Sequence, residues 1–167
     1  MRMRKGLAVL LAVFMFLGLG SVVMAATDTS NVQVTVAEVD ALVVTDGGTI
    51  SLTTIVGNDL SGTDDTTATL SYTTNSATAR EITAEVLAGG MPGGTQDITL
   101  TAAVAGGEPA VTLVNAGTRN ATPQVVRTGI TAGAISNAVV TYGAHCTASG
   151  TVANTYTFVV TYTSQDA

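Results

Sequence analysis

The sequence predicts an all-β fold, an antiparallel β-sandwich, and three observations lead to that prediction. Short segments alternate apolar and polar residues with a period of two, as half-buried strands do. Turn-forming stretches rich in glycine separate these segments, as at Gly89–Gly94 and Gly106–Pro109. Beyond the first 25 residues, no segment repeats its apolar residues at the 3.6-residue period of a helix. An up-and-down barrel is the alternative, but the long connections at 57–67 and 116–123 favour a sandwich.

The strongest alternation lies at the two ends of the chain after its leader. Residues 31–37 place three valines on one face, and residues 155–162 place three aromatic residues and Val160 on one face. Asp46–Gly48 is a turn-forming trio that predicts a hairpin between its flanking strands, and residues 57–67 are predicted to be a loop. The predicted strands are 31–37, 41–45, 49–52, 69–73, 81–86, 97–104, 111–114, 124–127, 138–142 and 155–162.

The first 25 residues have the pattern of a secretory signal peptide. Three basic residues precede an apolar run over Leu7–Leu19, and small residues follow at Ala25 and Ala26, where cleavage is expected. The apolar run is too short to favour a stable membrane span, although a retained anchor is the alternative. We therefore expect a secreted protein at the cell surface or outside the cell, exported through the periplasm in a Gram-negative organism.

The charge of the mature chain excludes two classes of partner. Removing the leader leaves three arginines, no lysine and twelve acidic residues, a net side-chain charge of −9. Such a surface repels phosphate backbones, which argues against nucleic acid as a partner. The mature chain also lacks the basic amphipathic helix that binds a membrane surface. Without lysine, no isopeptide bond can form between copies, so any assembly is expected to be non-covalent apart from a disulfide through Cys146.

The sequence offers little catalytic chemistry, and we predict no enzyme and no cofactor. His145 is the only histidine and stands next to Cys146, but adjacent residues on a strand point to opposite faces. Two ligands are also too few for structural zinc. Asp59, Asp64 and Asp65 form a weak calcium candidate, because hard cations take carboxylate oxygens, but the spacing of an EF-hand is absent.

Cys146 is the only cysteine, so it has no partner for an internal disulfide. A buried position is the preferred interpretation, because free cysteines are among the most buried residues. A disulfide between two chains is the alternative.

The order of strand patterns in the mature chain resembles a known family. The valine-alternating segment Val32–Val36 comes first, Tyr72–Thr78 leads into Glu81–Val86, and Thr155–Tyr162 closes the chain. This order resembles the subunits of chaperone–usher-type fimbriae, especially colonisation-factor-like pilins, and related secreted fibre proteins. The likeness spans most of the mature chain and consists of strand patterns without a diagnostic motif. A chaperone-binding signature at the C-terminus is not recognisable.

The resemblance implies an incomplete immunoglobulin-like sandwich, residues 38–167, that is completed by the N-terminal extension of the next subunit. The extension is residues 26–37, and Val32, Val34 and Val36 would be the donated side chains. The implied partners are other copies of the chain and an export chaperone or assembly platform. Alternatively, residues 31–37 are the first strand of their own domain.

The function expected from these observations is that of a structural subunit of a surface fibre, polymerising non-covalently by donor-strand addition. The alternative is a monomeric secreted or periplasmic β-sandwich that mediates adhesion, binds a ligand or coats the surface.

Overall fold

The computed structural model describes residues 32–94 and 96–167, so the predicted signal peptide lies outside the described residues. Contacts divide the chain into one unit that ends at Val36 and a second unit, Ala37–Ala167, which contains all the strands described. The described residues form no α-helix, only a short 3-10 turn at Ala88–Gly90. The strands are β1 (Asp40–Val44), β2 (Thr54–Val56), β3 (Asp59–Ser61), β4 (Asp65–Thr74), β5 (Arg80–Val86), β6 (Thr99–Val104), β7 (Val111–Asn115), β8 (Thr118–Arg119), β9 (Gln124–Ile130), β10 (Gly133–Thr147) and β11 (Val160–Asp166).

The strands form two antiparallel sheets, which confirms the predicted all-β, sandwich-like fold. The larger sheet has the order β1-β4-β10-β6-β7-β8, and the β2–β3 hairpin joins it where β3 pairs with the end of β10. The smaller sheet has the order β11-β5-β9. Strand β10 is the longest and pairs with three others, β3, β4 and β6, so it organises the larger sheet.

The core is built from the alternating inward residues of both sheets. On β4, Ala68, Leu70 and Tyr72 are buried while their neighbours are more exposed, as expected for a strand with one face against a core. The hydroxyl of Tyr72 is satisfied by Ser164, whose Oγ lies 2.9 Å away. The other buried apolar members of the core are Ile82, Ala84, Val86, Leu100, Ala102, Val104, Leu113, Val114, Val126, Ile130 and Val140.

The hairpin predicted around Asp46–Gly48 is wrong. Strand β1 pairs with β4, with Asp40 opposite Thr74, and residues 45–53 form no strand. The glycine-rich turn is held by a side chain, because the Gly48 backbone N–H donates to Asp65 Oδ2 at 2.6 Å. A Cβ on Gly48 would lie 2.8 Å from Asp65 Oδ1, so a larger residue here would displace the carboxylate that holds the turn.

Two other predicted boundaries also change. The predicted loop 57–67 contains β3 and the start of β4, strands whose apolar alternation is too short to stand out in the sequence. The last strand begins at Val160, not at 155, although Tyr156 and Phe158 are more buried than their neighbours, as the alternation predicts. Residues 32–39 have no strand conformation in the structure.

Asp97 joins the segment leading into β6 to the end of β10. Its carboxylate accepts hydrogen bonds from the backbone N–H of Thr147, at 2.9 Å, and from the hydroxyls of Thr147 and Thr151. Its own backbone N–H donates to Thr151 Oγ1 at 3.1 Å. The hydroxyl of Thr147 and then that of Thr151 lower the pKa of Asp97 below its ordinary value of 3.8, because they stabilise the charged form.

Asp97→Asn is expected to lower the free energy of unfolding at pH 7 by about 1–3 kcal/mol, because an amide nitrogen then faces groups that donate hydrogen bonds. The folded pKa of Asp97 is depressed, so its stabilising contribution is present above the unfolded value of about 3.8. That contribution is lost as the pH falls through the folded value. In urea unfolding, the difference in the free energy of unfolding between wild type and variant should therefore become smaller below pH 4.

Asp46→Asn, at an exposed carboxylate, is the matched control and should change stability little at either pH. An Asp97→Asn deficit that stays constant from pH 7 to pH 3 would contradict the assignment of this stability to the ionised carboxylate.

Candidate interaction groove

Each sheet ends in a strand that has one free edge, and these two edges face each other. Within the described residues, β1 is hydrogen-bonded only to β4, and β11 only to β5. An open groove of about 420 Å³ lies between the two strands. Its lining is formed by Leu42, Val44, Val160, Tyr162, Thr163 and Ser164.

The two strands run in opposite directions along the groove. The hydroxyl of Ser164, near the end of β11, donates to the carboxylate of Asp40, at the start of β1, at 3.0 Å. Val44 and Val160 line the groove from the other ends of the same strands. The groove therefore has one polar end and one apolar end.

Arg80 occupies the polar end. Its guanidinium donates to Glu38 at 3.1 Å and to Asp40 at 3.2 Å, and it also donates to Asp166. The side chain of Arg80 is 16% exposed, so this ion-pair network is partly shielded from water. The network connects the residues just before β1, the start of β5 and the end of β11.

The lining of the groove carries no charge. The hydroxyl of Tyr162 lies 2.8 Å from that of Tyr142, and each completes the hydrogen bonding of the other. Burial raises the pKa of Tyr162, and the neighbouring Tyr142 hydroxyl raises it further, so Tyr162 stays neutral at physiological pH. The other lining residues are aliphatic or carry a hydroxyl, so the surface suits an uncharged occupant.

The valines predicted as donated side chains are strongly exposed. We call residues Val32–Val36 the arm, and its three valines are 80%, 77% and 76% exposed. The residues between them, Gln33 and Thr35, are uncharged and also exposed. The arm thus presents apolar side chains at alternate positions in a stretch without charge.

The calcium candidate is not assembled. Among residues 32–94 and 96–167, no group of three His, Cys, Asp or Glu side chains is placed to hold a metal ion. The carboxylate of Asp65 instead accepts bonds from the backbone of Gly48 and from the hydroxyl of Thr67, at 2.8 Å, and these bonds lower its pKa. Asp59, Asp64 and Asp65 therefore do not converge on one point, and Asp65 holds the Gly48 turn.

The two adjacent residues His145 and Cys146 lie on opposite faces of β10. His145 is exposed, whereas Cys146 is 4% exposed, so the two side chains form no dyad. The preferred interpretation of Cys146 as a buried residue is confirmed. The disulfide between two chains stays an untested alternative.

Comparison of the chain with protein-family models, with curated proteins and with solved structures gave no significant match. In the part of the chain that the structure describes, no helix has the length and apolar character needed to cross a membrane. The interpretation of the groove and the arm therefore rests on their own geometry and chemistry.

Proposed function

We propose that this chain is a structural subunit of an extracellular surface fibre, in which the arm of one copy occupies the groove of the next. The observation that supports this most directly is the presence, in one chain, of a groove between two free strand edges and an exposed arm with alternating valines. An extended peptide that adds to a free sheet edge gains main-chain hydrogen bonds, and pockets accept its alternate side chains.

The chemistry of the two surfaces matches. Val32, Val34 and Val36 lie on one face when the arm is extended. The groove offers Leu42 and Val44 from β1, and Val160 and the ring of Tyr162 from β11. Fully burying three exposed valine side chains would contribute roughly 4.5–9 kcal/mol, and an open groove that covers one side of the arm contributes a part of this before the cost of association is subtracted. Main-chain hydrogen bonds to the free edges add to this.

The charge distribution supports the same contact. Copies that each carry a side-chain charge of −9 repel one another, so a stable contact is favoured where both surfaces are uncharged. The arm and the groove lining are both uncharged. No lysine is present in the mature chain, so the proposed contact is non-covalent.

The proposed contact joins two different surfaces and therefore does not close on itself. Each copy uses its arm on one neighbour and its groove on another, and repeating such a contact generates an open filament. Export by the predicted signal peptide places the subunit outside the cell. An export chaperone or assembly platform is the proposed partner that covers the arm or the groove before assembly.

A monomeric adhesion, ligand-binding or surface-coat protein is the second candidate. The groove volume of about 420 Å³ falls in the range of small-molecule sites. Such sites enclose most of the ligand, whereas this groove is open between two strand edges, which suits a strand better than a small molecule.

The double variant Val34→Asp/Val36→Asp is expected to abolish polymer and leave a soluble, folded domain, because carboxylates entering a groove without positive charge in its lining lose their hydration without compensation. Size-exclusion chromatography and negative-stain imaging of the exported protein measure this. The matched control is Val56→Asp/Val152→Asp, which adds the same charge at valines that are 73% and 63% exposed elsewhere. The control should still polymerise, and filaments in the arm variant would refute the proposed contact.

A further inference from the structure

If the arm of one copy fills the groove of a neighbouring copy, it must be kept out of the groove of its own chain. Only Ala37–Val39 separates the arm from β1, which lines the groove. A segment tethered this closely has an effective concentration in the millimolar range, so at micromolar protein its own groove would be favoured by roughly a thousandfold. A polymer therefore requires a feature that blocks closure within one chain.

Closure within one chain requires the backbone to reverse direction over residues 37–39, so that the arm can lie beside β1. In the structure, residues 37–39 are instead hydrogen-bonded to Asn75, which follows β4. The backbone N–H of Val39 donates to Asn75 Oδ1 at 2.6 Å, and the backbone N–H of Asn75 donates to the Val39 carbonyl at 3.3 Å. The side-chain amide of Asn75 also donates to the Ala37 carbonyl at 2.8 Å.

These hydrogen bonds add one residue pair to the pairing of β1 with β4, on the N-terminal side of Asp40. Asp40 lies opposite Thr74, and Val39 opposite Asn75 is the next pair in the same antiparallel register. The Asn75 amide serves as a substitute for the next peptide group of the partner strand, because it both accepts and donates. Residues 37–39 are therefore held beside Asn75 at the end of β4, and a chain reversal that moved them away would break all three bonds.

Arg80 holds the same segment through the carboxylates of Glu38 and Asp40. Its guanidinium bridges Glu38 and Asp40 on one side and Asp166 at the end of β11 on the other. A reversal at residues 37–39 would move Glu38 away from Arg80. Asn75 and Arg80 therefore constrain both the backbone and the side chains of this segment.

We propose that Asn75 and Arg80 form a clasp that holds residues 37–40 against the end of β4, opposes the chain reversal needed for self-closure, and so leaves the arm for the groove of a second copy. This inference rests on the proposed function and identifies the residues that decide between assembly and self-closure. Both are positioning residues: neither is among the six residues that line the groove, although the guanidinium of Arg80 lies at its polar end.

The test compares wild type with Asn75→Ala and Asn75→Ala/Arg80→Met, using the full exported chain. Loss of the clasp is expected to reduce the polymer fraction at micromolar protein at least about tenfold, because the freed arm closes its own groove at high effective concentration. Arg119→Met removes the same charge at an exposed site on β8 and should polymerise normally. If thermal melting shows that Asn75→Ala does not fold, Arg80→Met alone is compared with wild type in the same polymerisation test.

A labelled peptide with the sequence of residues 32–37 reports whether the groove is filled. It should bind the Val34→Asp/Val36→Asp chain, whose groove is open, and should not bind the Asn75→Ala monomer, whose groove is closed by its own arm. Combining Asn75→Ala with the two arm substitutions should restore peptide binding.

The outcomes separate the clasp from the proposed function. If Asn75→Ala/Arg80→Met polymerises like wild type, or if its monomer binds the peptide like the arm-disabled chain, the clasp is wrong and the fibre contact is unaffected. If the arm-disabled chain polymerises or does not bind the peptide, the proposed arm–groove contact itself is wrong.

Discussion

Replacing Leu70 by alanine is expected to lower the free energy of unfolding by about 2–5 kcal/mol, because the substitution leaves a cavity that a close-packed core cannot fill. Leu70 is 0% exposed and sits on β4, between Val44 of β1 and Ala138 of β10. Sheet neighbours flank it on both sides, so the backbone has little freedom to collapse around the lost methyl groups. The upper half of the range is expected for that reason.

Urea unfolding measures this loss, and it is best performed in the Val34→Asp/Val36→Asp background. Polymer contacts stabilise the folded state by mass action, and removing them makes the comparison one of the domain alone. Leu87→Ala is the matched control, because it removes the same atoms from a side chain that is 47% exposed. Equal losses at both positions would contradict the placement of Leu70 in the core.

Most strands after residue 68 were predictable because their alternation is a local property. The segments predicted at 69–73, 81–86, 111–114, 124–127 and 138–142 all lie within strands of the structure. The alternation is clearest in β4 and β5, where Leu70 and Tyr72, and Ile82, Ala84 and Val86, are buried at every second position. The fold class follows from these segments and from the absence of a helical period.

Strand β10 shows where local alternation stops being informative. The sequence predicts only 138–142, whereas the strand extends over Gly133–Thr147. The register shifts between Ile135 and Ala138, and Asn137 has a positive φ of 49° within that irregularity. A bulge of this kind changes which face each residue occupies, so the period-two pattern is interrupted although the strand continues.

Pairing could not be deduced from the sequence, and the groove depends on pairing. Asp46–Gly48 has the composition of a hairpin turn, but the strand before it pairs with β4, 65–74, and the turn is fixed by Asp65. Which strands end the sheets, and hence where free edges meet, follows from these distant contacts. The valine alternation of the arm was visible in the sequence, but its possible acceptor was not.

The residues of the clasp illustrate the same limit. Arg80 is one of three arginines in a strongly acidic mature chain, which marks it as a candidate ion-pair partner. Nothing in the sequence indicates that Glu38, Asp40 and Asp166 are the carboxylates it meets. Asn75 carries no signal at all, because its effect arises from the position of its amide beside Ala37 and Val39.

Mixing a chain that lacks a working arm with a chain that lacks a working groove is expected to yield dimers and nothing longer. Val34→Asp/Val36→Asp supplies the groove only. Val44→Asp places a carboxylate in the groove lining and supplies the arm only. Each variant alone should stay monomeric, because each lacks one of the two surfaces that the contact requires.

In the mixture, one arm meets one groove, and the complex has no further arm and groove that fit each other. This outcome is specific to a head-to-tail contact between two different surfaces, because a contact between two identical surfaces would survive in one of the two variants and let that variant self-associate alone. Analytical ultracentrifugation measures the species formed, and Val160→Asp replaces Val44→Asp if the latter does not fold. A mixture that stays monomeric, or that forms filaments, would overturn the assignment of the β1–β11 groove as the acceptor.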